Sequence, residues 1–186
     1  SQAGGFWPAE LKFAGFDGIV ITGRSPRPVY LWVHDGEAEL RDATHLWGQI
    51  TGEAERAIRQ ELGDGKVQVA QIGPAGERLV SFAAIMNMCN RAFGRTGMGA
   101  VMGSKMLKAI AVRGHGRVQV ADQEAIVSLA RRGPQRVRDL PEMQALQDLG
   151  TAGTIMYQQV VGGLPTRNFT RGVFDQAEAI SGERLA

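Results

Sequence analysis

Two short runs rich in Val, Ile, Tyr and Trp, residues 18–21 and 28–34, are bounded by Gly, Ser and Pro, which is the pattern of β-strands. Asp35-Gly36 follows the second run and separates Tyr30-Leu-Trp-Val from Glu37-Ala-Glu-Leu, the strongest short-range hairpin signal a sequence offers. An antiparallel pair is expected there. The period then changes. Ala54, Ala57, Ile58 and Leu62 recur at helical spacing, Thr51 can cap, Glu53 and Glu55 suit the N-terminal end, and Gly63 can terminate the helix. Strand character returns over residues 67–72 and 79–86, linked by a Gly73-Pro-Ala-Gly76 turn, and again over 106–112.

After Arg113-Gly-His-Gly116 the texture alters. Residues 122–132, 141–149 and 154–161 read as helices, with capping residues or Pro at their starts and Gly or Pro at their ends. The expected fold class is α+β: a mixed, largely antiparallel sheet domain with short helices, followed by the beginning of an all-helical domain. The boundary falls near residues 114–121, giving domains 1–116 and 117–186.

Composition narrows the function classes. Hydrophobic residues make up 44% and charged residues 22% of the 186, the proportions of a chain that folds by burying a core. The net charge of +2 comes from 21 basic and 19 acidic residues, and the basic ones are scattered, so a nucleic-acid partner is not expected. No apolar run approaches the roughly 20 residues that span a bilayer. Cys89 is the only cysteine, too few for a disulfide framework, a zinc site or an iron–sulfur cluster, which fits a reducing, cytoplasmic setting. The chain opens on Ser-Gln-Ala-Gly-Gly and stops at Ser181-Gly-Glu-Arg-Leu-Ala in the middle of element-forming sequence, so both ends read as cut.

The richest chemistry lies between Asn90 and Lys105, which holds Gly94, Gly97, Gly99 and Gly103 together with Arg91 and Arg95. Were the segment helical, the two arginines would share a face. Glycine admits close backbone approach, and paired guanidiniums grip phosphate oxygens bidentately, so a phosphate-bearing cofactor is one reading. The bland alternative is that the glycines permit tight packing and the arginines face solvent. The spacing fits neither a Walker A loop nor the dinucleotide fingerprint. A second candidate is the opening stretch, where Gly4-Gly5 offers exposed backbone, and Phe6 and Trp7 offer a wall or, more plainly, core. His45 reads as a capping or packing residue, His34 and His115 as solvent-facing, Cys89 as a buried thiol, Asp17 as a strand start, and Arg131, Arg132, Arg136 and Arg138 as a solvated helix end.

Consecutive blocks then carry a resemblance. They are Ala9-Glu-Leu-Lys-Phe-Ala-Gly-Phe-Asp17, Pro28-Val-Tyr30, Arg41-Asp-Ala-Thr-His-Leu-Trp-Gly48, Gln71-Ile-Gly-Pro-Ala-Gly-Glu77, Asn90-Arg-Ala-Phe-Gly-Arg95, Gly99-Ala-Val-Met-Gly-Ser-Lys105 and Leu107-Lys-Ala-Ile-Ala-Val112. In this order they resemble the aldehyde ferredoxin oxidoreductase family over residues 1 to 113, with weaker similarity through Pro165-Thr-Arg-Asn-Phe-Thr-Arg-Gly172. The resemblance implies a sheet-built base beneath tungsten, or molybdenum, held by the dithiolenes of two pterins. It implies that Arg91, Ala92, Gly94 and Arg95 match one pterin-contacting motif and Gly4 another. The main-chain carbonyls of Gln2 and Ala92 would serve a magnesium ion that joins the pterin phosphates. Gln2 stands where asparagine is expected, and Phe93 where a small residue is usual.

The implied activity is oxidation of an aldehyde to a carboxylic acid, with electrons leaving through a [4Fe-4S] cluster to ferredoxin or an electron-transfer subunit. None of the cluster's cysteine ligands lies in this chain, so the remainder of the enzyme is an implied partner, alongside a second copy in a homodimer. None of these residues does the chemistry itself, and the chain alone is expected to be inactive. Alternatives are the tungsten subunit of a benzoyl-CoA-reductase-type enzyme and a non-catalytic cofactor-binding scaffold.

Overall fold

The computed structural model describes residues 1–186 and divides into two units, Ser1–Gln119 and Val120–Ala186. The first unit runs α1 (Trp7–Phe13), β1 (Val29–His34), β2 (Glu37–Asp42), α2 (Thr51–Leu62), β3 (Gln68–Gln71), α3 (Pro74–Glu77), β4 (Ile85–Asn87), β5 (Arg91–Phe93), α4 (Met98–Ser104) and β6 (Leu107–Arg113). The strands form one sheet in the order β2-β1-β6-β3-β4-β5. Only β1 and β6 run parallel; the other pairings are antiparallel.

The β1–β2 hairpin turns through Asp35 (φ 42°) and Gly36 (φ 89°), as the Asp-Gly pair dictates, and closes on His34 opposite Glu37. Helix α2 buries Ala54 and Ile58 and stops at Gly63, whose φ is 67°. Its N-cap is Ile50, not Thr51, and no side chain caps it. Tyr30, Leu46, Ile58, Val67, Val69, Ala109 and Ala111 form one core cluster with α2. Two smaller clusters involve Leu11 of α1 with Val33 and Val112, and Met102 of α4 with Ile72 and Leu107. Burying each large aliphatic side chain contributes about 1.5–3 kcal/mol.

A fully buried charge ties three segments together. The Lys108 ammonium on β6 donates to Gln49 O at 2.9 Å and pairs with the Glu77 carboxylate at the end of α3, which in turn accepts the Gly48 N–H at 2.8 Å.

Further expectations need correction. Residues 18–21 form no strand: both edges of β1 are taken by β2 and β6, and Ile19 and Ile21 pack against the clusters of Leu11 and of Met102. Asp17 is an exposed partner of Lys12 and starts no strand. Of residues 79–86 only the end enters the sheet. Leu79 turns left-handed (φ 58°), Val80 N–H donates to Ala75 O, and Ala83 O accepts the Gly99 N–H, so the segment seats α4. Finally, Arg91–Phe93 is a strand, so the helical case in which Arg91 and Arg95 would share a face does not arise.

In the second unit Asp122 caps α5 (Gln123–Asp139) by accepting the Ala125 N–H at 2.9 Å, and the helix continues through Gly133-Pro134, beyond its expected end. It is followed by α6 (Pro141–Leu149), α7 (Ile155–Val160) and α8 (Gly182–Leu185). Neither α5, α6 nor α7 holds a fully buried residue. No helix of the chain is long and apolar enough to cross a membrane.

Candidate functional site

Strand β5 lies at the sheet edge, so one row of its backbone N–H and C=O groups has no strand partner. Its neighbour β4 sets the register, with Asn87 opposite Arg91 and Met86 opposite Ala92. Beyond Phe93 the chain bends through Gly94, Arg95 and Thr96 before α4 begins. Thr96 has φ 74°, a left-handed conformation that costs a β-branched residue about 1–2 kcal/mol. Arg91 and Arg95 therefore lie on a strand and on the turn after it, and do not form the helical pair that a spacing of four suggests.

Residues 1–5 lie against this hairpin. Asn87 Nδ2 donates to Gly4 O at 3.0 Å, and the Arg95 N–H donates to Ser1 Oγ at 3.2 Å. Between the two segments opens a cleft of about 660 Å³ lined by Ser1, Gln2, Ala92, Gly94, Arg95 and Thr96. Four of the residues expected to bind cofactor, Gln2, Ala92, Gly94 and Arg95, thus converge on one cavity. Gly4 and Arg91 lie outside its lining, at the end of the hairpin where Asn87 sits. Nothing local in the sequence marked Asn87, Ser1 or Thr96, because their positions depend on a contact between segments more than 80 residues apart.

Space separates the roles of the glycines. A Cβ on Gly97 would lie 2.0 Å from Ser81 O, one on Gly99 2.6 Å from Ala84 O, and one on Gly103 1.9 Å from Gly76 O, so these three serve packing. Gly94 meets nothing within 4 Å and is open to the cleft. Both arginines are exposed, and the chain's ion pairs all involve other residues. Guanidinium groups without carboxylates, an open glycine and an edge strand make a donor set suited to an anionic, phosphate-bearing group. Main-chain carbonyls of the kind that line this cleft are hard oxygen ligands and suit a hard cation. No cluster of three or more His, Cys, Asp or Glu side chains could hold a metal directly.

The remaining candidates are otherwise employed. Trp7 is part of the core and donates from Nε1 to Ile110 O at 3.0 Å, whereas Phe6 is exposed. His45 lies 3.6 Å from Glu61, His34 stacks on Trp32, and His115 pairs with Asp35 at 2.9 Å. That hydrogen bond from His115 holds the Asp35 carboxyl below its ordinary range. Cys89 is exposed, not buried as expected, because it occupies the tip of the β4–β5 hairpin. Its Sγ donates to Glu55 at 3.2 Å, and Glu55 also pairs with Arg59 at 2.8 Å. Desolvation first, and then the Glu55 carboxylate, push the thiol pKa up, so less thiolate exists at a given pH. Glu55→Gln removes the second cause: thiol alkylation at pH 8 is expected to quicken severalfold, and an unchanged or slower rate would refute the assignment.

The sheet and its cleft define a domain with an open edge strand, β5, flanked by the exposed guanidinium groups of Arg91 and Arg95. Residues 1–114 match the N-terminal domain of aldehyde ferredoxin oxidoreductase, and residues 128–186 match domains 2 and 3 of the same family. The tungsten-containing aldehyde ferredoxin oxidoreductases of Pyrococcus abyssi and Thermococcus kodakarensis are each 49% identical to it, over 100% of this chain and 31% of their own length. A solved structure titled as the active site complex BamBC of benzoyl coenzyme A reductase with 1,5 dienoyl-CoA superposes with a TM-score of 0.71 at 41% identity, covering 75% of this chain and 21% of that one. The chain belongs to the aldehyde ferredoxin oxidoreductase family. It spans about a third of the length of these curated relatives.

Proposed function

We propose that this chain is the cofactor-holding part of a tungsten, or molybdenum, bis-pterin oxidoreductase that converts aldehydes to carboxylic acids in the cytoplasm. The observation that carries this is the convergence of Gln2 with Ala92, Gly94 and Arg95 on one cleft whose glycine is open and whose guanidinium, that of Arg95, has no carboxylate partner. Arg91 and Arg95 neutralise phosphate and pterin acceptors, and Gly94 admits them to the backbone. The main-chain carbonyls of Gln2 and Ala92 supply part of the shell of a magnesium ion. When bound, the tungsten bis-pterin supplies the two-electron chemistry; the protein residues here bind and orient it. Residues 1–116 form the cofactor-binding domain, and 117–186 begin a helical one. Cysteine ligands for a [4Fe-4S] cluster, and the docking surface for ferredoxin, belong to the rest of the enzyme.

Arg91→Ala and Arg95→Ala in the complete enzyme are each expected to lower tungsten per protein severalfold, measured by elemental analysis, without loss of fold, because both side chains are exposed. Unchanged tungsten in both variants would sink the assignment. The 186-residue chain by itself is expected to reduce no benzyl viologen with any aldehyde; turnover would mean that it carries the whole active site.

A second reading, reduction of an aromatic acyl thioester, is favoured by the likeness to the benzoyl coenzyme A reductase complex. Assaying the complete enzyme with aldehydes and with benzoyl-CoA separates the two.

A further inference from the structure

Two segments distant in sequence form the cleft, and what holds them in register lies beside it. Residues 1–5 cross the β4–β5 hairpin and are joined to it at two points of unequal strength. The bond from Arg95 N–H to Ser1 Oγ is exposed and competes with water. The bond from Asn87 Nδ2 to Gly4 O involves a fully buried side chain. The other amide atom, Asn87 Oδ1, is also buried and has no hydrogen-bond partner. It rests against Gly5, where a Cβ would fall 2.5 Å from it; with φ at 115°, that position suits glycine alone. A side chain selected only to fill this space would be aliphatic, since a buried, unpaired carbonyl is unfavourable. What the amide does provide is a directional tie to the backbone of residue 4, two residues from Gln2. On its own strand pair Asn87 stands opposite Arg91, next to Ala92.

We propose that Asn87 is a positioning residue that sets the separation of the two cofactor-gripping segments, so that the main-chain carbonyls of Gln2 and Ala92 can reach the same bound cation. The inference rests on the cofactor reading of the cleft and adds to it a residue that touches no ligand. Asn87 fixes Gly4, Gly4 fixes the path of Gln2, and the packing of Asn87 Oδ1 on Gly5 keeps that path close to the hairpin.

The test uses the complete enzyme loaded with tungsten, and Asn87→Leu, which keeps the branched shape at slightly larger size and removes both polar amide atoms. The rate at which tungsten and fluorescent oxidised pterin pass a desalting column is expected to rise at least tenfold. The melting temperature of the cofactor-free protein should stay level or rise, and activity per remaining tungsten atom should be unchanged. A variant that loses cofactor only in proportion to a falling melting temperature assigns Asn87 a merely structural role and overturns the proposal, as does unaltered release. Gly5→Ala, which leaves the Asn87 amide in place but sets a methyl against its Oδ1 and so displaces the same strap, is the second variant and should speed release as well; normal retention there also counts against the strap. Arg95→Ala run in parallel separates the two levels. If Arg95→Ala loses tungsten and Asn87→Leu keeps it, the positioning role fails alone; if both keep it, the cofactor reading of the cleft fails first.

Discussion

Glu77→Ala is expected to lower the stability of the chain by about 3–5 kcal/mol, because it leaves the Lys108 ammonium buried without a counter-charge. Both side chains lie almost wholly out of water, at 0% and 5% exposure, so solvent cannot take over the role of the carboxylate. The variant also frees the Gly48 N–H, which donates to the same group. Replacing the pair together, with Lys108→Met and Glu77→Leu, removes the stranded charge and should recover most of the loss. Urea midpoints of the two proteins check this: a single variant that unfolds within 1 kcal/mol of the parent would mean that the ammonium finds another partner or deprotonates.

Gly103→Ala carries the second large effect. The added methyl would lie 1.9 Å from the Gly76 carbonyl oxygen and 2.7 Å from its carbon, both backbone atoms, so α4 must lift from α3. About 3 kcal/mol is expected, the upper end of ordinary overpacking. Gly94→Ala, nine residues earlier, meets open space and should change stability by less than about 0.5 kcal/mol. Equal melting temperatures for the two variants would show that α4 is not seated on Gly76 as described.

That contrast marks how far the sequence could be read. Elements with a clean period or a strong local signal were legible: the Asp35-Gly36 hairpin, the amphipathic stretch that became α2, the Val-rich run of β3, and β6. Elements sustained by tertiary contact were not. Met98–Ser104 holds two glycines and a valine and has little helical propensity of its own; it is a helix because Gly99 and Gly103 let it settle on the carbonyls of residues 76, 83 and 84. Arg91–Phe93 is three residues long and becomes a strand through pairing with Ile85–Asn87.

The site divided along the same line. Arg91, Gly94 and Arg95 stood out by residue type, but their geometry did not, because a spacing of four suggests a helix only where a helix forms. Gln2 and Ala92 were paired by family resemblance alone. No local pattern could bring residue 4 to residue 87, since that meeting is an amide hydrogen bond between segments 83 residues apart.

The central position of β6 has a consequence for how the protein is made. In the sheet it lies between β1 and β3, yet it comes last of the six strands in the chain. During synthesis the β1–β2 ribbon and the β3–β4–β5 ribbon emerge first, each with an unpaired edge waiting for a neighbour the ribosome has not yet delivered. Joining Val29 to Leu107 closes a long loop, which is slow. The nascent chain therefore spends its most aggregation-prone interval with two open edges, and it leaves that interval only when residues 107–113 arrive to zip both ribbons together.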